Sequence, residues 1–125
     1  MDHLLPICFS LSLCLLFCHE LDATQKKEWK LLYGLRNLDD ALAERLFLLL
    51  HIPMFLFGFW AAAPASPIEI KIGFAVFCII HALLHLRLRL LNVGSFNSFT
   101  SRLFIDGSAG FALVFLVLWS ISESS

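Results

Sequence analysis

Four long apolar blocks dominate this sequence, at about Leu4–Leu21, Leu46–Ala63, Ile68–Leu91 and Leu103–Ile121. A helix that crosses a bilayer needs about 20 predominantly apolar residues, and each block approaches or exceeds that length. Backbone polar groups find no water in lipid, so helices that satisfy them internally are the expected form. The expectation is an all-α integral membrane four-helix bundle. The chain reads as a single transmembrane domain over residues 1–125. Hydrophobic residues make up 59% and charged residues 15% of the chain, so little length is left for a soluble domain. The first block lacks a basic leader and a small-x-small cleavage pattern, so it reads as a retained span rather than a signal peptide.

The connections carry the local signals. Pro64 and Pro67 interrupt the chain between spans two and three, making these spans a tight antiparallel hairpin. Ser66-Pro67-Ile68-Glu69 has the pattern of a capping box, with Ser66 as N-cap and Glu69 at N3. Residues 22–45 form a longer polar connection in which Trp29, Leu32, Tyr33 and Leu35 alternate with Lys26, Lys27, Lys30 and Arg36. That pattern suits a short helix in the headgroup region or a plain loop. Asp39 and Asp40 favour the start of span two by capping and by the helix dipole. Asn92, Ser95, Asn97 and Ser98 read as turn and cap residues.

Orientation follows from the basic residues. Lys26, Lys27, Lys30, Arg36, Arg45, Arg87, Arg89 and Arg102 fall at one end of the bundle, and only Lys71 at the other. Such an excess marks the cytoplasmic side, which would place both termini outside. Trp60 and Trp119 would then form an aromatic belt at the outer face. Net charge is −1 and the 9 basic residues form no continuous surface, so no nucleic-acid partner is expected. Cys8, Cys14, Cys18 and Cys78 lie within the apolar blocks without CxxC spacing, and read as small packing residues rather than a disulfide or zinc framework.

Depth brings the chemistry-bearing residues together. His19 and Glu20 end span one; His51 lies six residues in from Arg45; His85 and His81 lie two and six residues in from Arg87; Asp106 lies four in from Arg102. At 1.5 Å per residue all fall within about 10 Å of the basic end. Ionisable groups at that depth face a bundle interior or a wet cavity. His81 and His85 share a helix face, as does Cys78 one turn deeper, and an i, i+4 histidine pair can present two imidazoles to one metal. The expected metal ligands are His19, His51, His81, His85 and Asp106, with Glu20 as general base. Zn, Fe or Mn suits such a mixed set. Taken singly, each residue also has a plainer role. A histidine can bridge helices by hydrogen bonding, Asp106 can pair with Arg102, and Glu20 and Asp22 can sit at headgroup level near Lys26 and Lys27. Gly58 on span two, and Gly107, Gly110 and Ala112 on span four, offer small surfaces for close helix packing.

His19-Glu20-Leu21-Asp22, Glu28-Trp29, His51-Ile52-Pro53, His81 with His85, and the stretch from Phe96-Asn97 to Gly110 follow one another in a telling order. In this the chain resembles a family of small bacterial four-span membrane proteins of unknown function, over nearly its whole length. The resemblance implies a bacterial cytoplasmic membrane and no particular activity. It also adds Glu28, otherwise an ordinary solvated charge, to the candidates.

Three functions fit. The first is a metal-dependent membrane enzyme, a hydrolase or oxidoreductase, acting on a lipid-soluble substrate from the bilayer. The second is b-type haem binding through two axial histidines, such as His51 and His81. The third is a non-catalytic accessory subunit or assembly factor whose histidines hold helices or a membrane protein partner. Transport is disfavoured, because no repeat or second gate is visible.

Overall fold

A computed structural model describes residues 3–93 and 97–124, so Ser95 and Phe96 lie outside the described residues. Its long helices are α1 (Leu4–Gln25), α2 (Asp40–Ala62), α3 (Ile68–Leu90) and α4 (Phe99–Glu123), with a short 3₁₀ turn at Glu28–Leu31. No strand occurs among the described residues. All four long helices are long and apolar enough to cross a membrane. The chain is a multi-pass membrane protein in which leucines point outward and polar groups inward. Leu49, Leu83, Leu84 and Leu113 are exposed, whereas Ser12, His19, Glu20, His51, His85, Ser101 and Ser108 are buried. Lipid solvates the leucines, and the polar groups require partners inside the bundle.

Capping sets several helix ends beyond the apolar blocks. Asp39 accepts from the backbone N–H groups of Ala41 and Leu42 at 3.1 and 3.3 Å, starting α2 six residues before its apolar block. Ser98 accepts from Ser101 N at 3.2 Å and starts α4. Asn92 adopts a left-handed turn at φ 54° just after α3, in keeping with its expected turn role. The expected capping box at α3 does not form. Pro67 is the N-cap, and Ser66 Oγ reaches only the Pro67 carbonyl at 3.5 Å. The Ser66 N–H is used in a turn to Ala63 O, which delays the helix by one residue. Lys71 Nζ donates to Ala63 O at 3.2 Å and supports the end of α2 instead.

The closest partners in the bundle are α1 with α4 and α3 with α4. Although the turn between them is short, α2 and α3 meet at few positions, and α2 is the most loosely docked helix. The α1–α4 pairing runs antiparallel, from Phe9 with Phe115, through Ser12 with Ser108, to Asp22 with Ser101. Ser12 Oγ donates to Ser108 O at 2.8 Å and Ser108 Oγ donates to Ser12 O at 2.9 Å. These reciprocal bonds clamp the helices at the depth where small side chains let backbones approach. Gly107 contributes, since a Cβ there would stand 3.1 Å from Leu15 Cδ1; Gly110 does not, because it faces open space.

Two apolar clusters form the core. One contains Phe9, Leu13, Leu16, Phe74, Cys78, Ala112 and Phe115. The other lies near the basic end and contains Ala23, Trp29, Ala43, Phe47, Ala82 and Ile105. The histidine layer is placed between them.

Candidate metal centre

The 22–45 connection is neither a surface helix nor a plain loop. Lys27, at φ 55°, reverses the chain immediately after α1. The 3₁₀ turn that follows tucks Trp29 under the bundle, 3% exposed, with its ring 5.9 Å from that of Phe47. Burying Trp29 carries its neighbour Glu28 inward. Tyr33, farther along, stays 80% exposed.

Glu28 meets three histidines and a second glutamate there. The donor atoms of His19, His81 and His85 all lie within 4.8 Å of one another, a group that could hold a metal ion. Their rings pack at 4.6–4.9 Å between centroids. Glu28 Oε1 lies 3.1 Å from His85 Nε2, and Glu28 Oε2 lies 3.8 Å from His19 Nε2. Glu20 Oε2 lies 2.8 Å from His51 Nε2, and Glu20 Oε1 lies 3.8 Å from His81 Nε2. Each carboxylate thus spans two imidazoles. His51 Nδ1 is 2.7 Å from Phe47 O. A carbonyl only accepts, so Nδ1 carries the proton and the ring is held with Nε2 toward Glu20. Such an N–H to carbonyl bond commonly orients a metal-binding histidine.

Neighbouring charges are committed elsewhere. Asp22 pairs with Lys26 at 3.0 Å and accepts from Ser101 Oγ at 2.5 Å. Lys26 Nζ also donates to the Ser101 hydroxyl. Lys27 and Lys30 both pair with Asp40, at 3.1 and 3.4 Å. The ion-pair partners of Glu20 and Glu28 among the described residues are imidazoles. Carboxyl groups in so buried a layer require a partner close by, whether a cation or a hydrogen-bond donor.

The structure brings His19, Glu20, His51, His81 and His85 together and leaves Asp106 out. Asp106 takes a two-pronged ion pair from Arg89, at 2.8 and 3.0 Å, with its side chain 45% exposed. The physical reason is helix face. The buried face of α4 runs through Ser101, Ile105, Ser108, Ala112 and Phe115, and Asp106 lies beside it, toward α3. Its partner is Arg89 across the helix pair, not Arg102 on its own helix. Cys78 is buried in the neighbouring apolar cluster. Composition and spacing did not supply Glu28. The available signal was a carboxylate next to a tryptophan in the connection between spans one and two.

Fold and site together define a class: a four-span membrane bundle with a buried histidine–carboxylate layer near one end. The chain belongs to a family of unknown function, DUF6713, whose model matches residues 5–122. No curated protein and no solved structure matches it.

Proposed function

We propose that this is a membrane-embedded metalloprotein in which His19, His81 and His85, with Glu28, bind a divalent Zn, Fe or Mn ion. The observation that carries this reading is the convergence of imidazoles and carboxylates from α1, α2, α3 and the 3₁₀ turn into one layer between two apolar clusters. Donors bound to one ion through bonds of about 2.1 Å stand roughly 3.0–3.5 Å apart. The 3.1 Å approach of His85 to Glu28 has that spacing, and the 3.8 Å approach of His19 is close to it.

Simple helix-to-helix hydrogen bonding accounts less well for the layer. His81 Nε2, Glu20 Oε1 and Glu28 Oε2 are buried and make no hydrogen bond among the described residues. Buried polar atoms are rarely left so, and an ion would satisfy all three. Haem b fits poorly, because the His19, His81 and His85 rings pack edge-on or tilted against one another and leave no slot for a porphyrin.

The substrate we assign to the centre is lipid-soluble and arrives from the side. A cleft of about 450 Å³ is lined by Glu28, His81 and His85 together with Leu31, Leu84 and Leu88. That volume suits a small ligand. Its polar groups lie at the metal layer, and the leucines of α3 line the approach. A bound ion of this kind supplies Lewis-acid activation of water or redox chemistry.

Elemental analysis of protein purified in detergent without chelators tests the proposal. At least one Zn, Fe or Mn per chain is expected, without a Soret band, and His81→Ala and His85→Ala should each lose it. A metal-free wild-type protein, or variants that retain full metal content, would overturn the reading.

A further inference from the structure

Glu20 and His51 lie beside the three-histidine group, and Glu20 reaches toward both sides. His51 Nδ1 is already committed to the Phe47 carbonyl, so Nε2 is the ring atom turned to Glu20. Nε2 lies 2.8 Å from Glu20 Oε2, a hydrogen-bonding contact that ligation of one ion by both atoms would replace. The other oxygen, Glu20 Oε1, points to His81 at 3.8 Å and makes no hydrogen bond among the described residues. One carboxylate oxygen is therefore turned to the three-histidine group and the other to His51.

From this juxtaposition we infer a second metal position, held by His51 Nε2 and Glu20 Oε2, with Glu20 bridging to the first ion through Oε1. The inference rests on the metalloprotein reading above. Glu20 is then a bridging ligand rather than a general base. Mixed imidazole and carboxylate donors suit paired Fe, Mn or Zn ions, which in dinuclear sites stand about 3.5–4 Å apart.

The second position has few protein ligands, and space adjoins it. A separate opening of about 170 Å³ is lined by Glu20, His51 and His81 with Phe47, Leu50 and Met54. Glu28 and Leu32 line both this opening and the larger cleft. Water or a substrate oxygen can complete the coordination of the second ion from there. The larger cleft opens on the first set, at Glu28, His81 and His85. Each position would thus adjoin an opening of its own.

Metal stoichiometry reads this directly. Detergent-purified full-length protein stripped of metal and titrated with Mn(II) should take up two ions per chain. Its electron paramagnetic resonance spectrum should then show the exchange-coupled signal of a manganese pair. Glu20→Gln and His51→Ala should each bind one ion per chain, with an uncoupled signal. One ion in the wild-type protein overturns the second position and leaves the metalloprotein reading standing. No ion overturns both. The wild-type count needs no variant to fold. His51→Gln serves as the milder substitution if His51→Ala is unstable, and two coupled ions in it would also overturn the assignment.

Discussion

Trp29→Ala should deplete the metal centre without removing a single ligand. Trp29 is 3% exposed and packs with Ala23, Ala43 and Phe47, so its loss opens a large cavity beneath the histidine layer. Truncating a buried tryptophan costs about 3–5 kcal/mol. The four spans are held by lipid and by contacts elsewhere, so the cost falls on the 3₁₀ turn. Once that turn detaches, Glu28 leaves His85 and His19. Metal affinity should fall by about 10–100-fold, the range found when groups supporting metal ligands are removed. Competition with a chelator of known affinity measures the change, and circular dichroism should show the helices intact. Trp29→Phe is the control. It keeps a ring against Phe47, leaves a smaller cavity than alanine, and drops an indole N–H that has no hydrogen-bond partner among the described residues. Unchanged affinity in Trp29→Ala would mean that Glu28 does not hold metal.

The second large effect is expected at Gly58, two turns along α2 from His51. A Cβ there would lie 2.8 Å from Leu13 Cδ1 and 3.3 Å from the rings of Phe17 and Phe74. Leu13 can rotate away, but Phe74 is fully buried and has no room to move. Gly58→Val adds two methyl groups more, and overpacking of this kind costs about 1–3 kcal/mol. Since α2 is loosely docked, the strain is relieved by moving α2 outward, which takes His51 from Glu20. Thermal unfolding in detergent should shift to lower temperature, and Mn(II) stoichiometry should drop from two to one. Gly110→Val should change neither quantity, because nothing lies within 4 Å of a Cβ at that position. Equal effects at the two glycines would contradict the packing described for α2.

The spans were legible in the sequence because the bilayer imposes a length and a composition that are read locally. Their ends were less so. Asp39 was recognisable as a cap, yet α2 begins at Asp40, well before its apolar block. The α3 start misled because Ser66 has the side chain of a capping residue but its backbone is taken by the preceding turn. The site was legible through depth and through the His81, His85 spacing. Depth gives a level in the bundle and not a direction around each helix, and Asp106 shows the difference. It lies at the histidines' level by residue count, but one position off the buried face, toward α3, where Arg89 meets it. The pattern Ser101, Ile105, Ser108, Ala112 and Phe115, at spacings of three and four, carries the information that separates them. Glu28 illustrates the opposite case. Its segment looks solvated by composition, and only the left-handed turn at Lys27 together with the burial of Trp29 brings it under the bundle.

X-ray absorption at the edge of the metal that co-purifies with the full-length protein tests the central claim most directly. The account predicts a nitrogen and oxygen shell at about 2.0–2.2 Å with strong outer scattering from imidazole rings, and no sulfur near 2.3 Å. A metal whose shell lacks imidazole scattering, or one bound through sulfur, would contradict a centre built from His19, His51, His81, His85, Glu20 and Glu28.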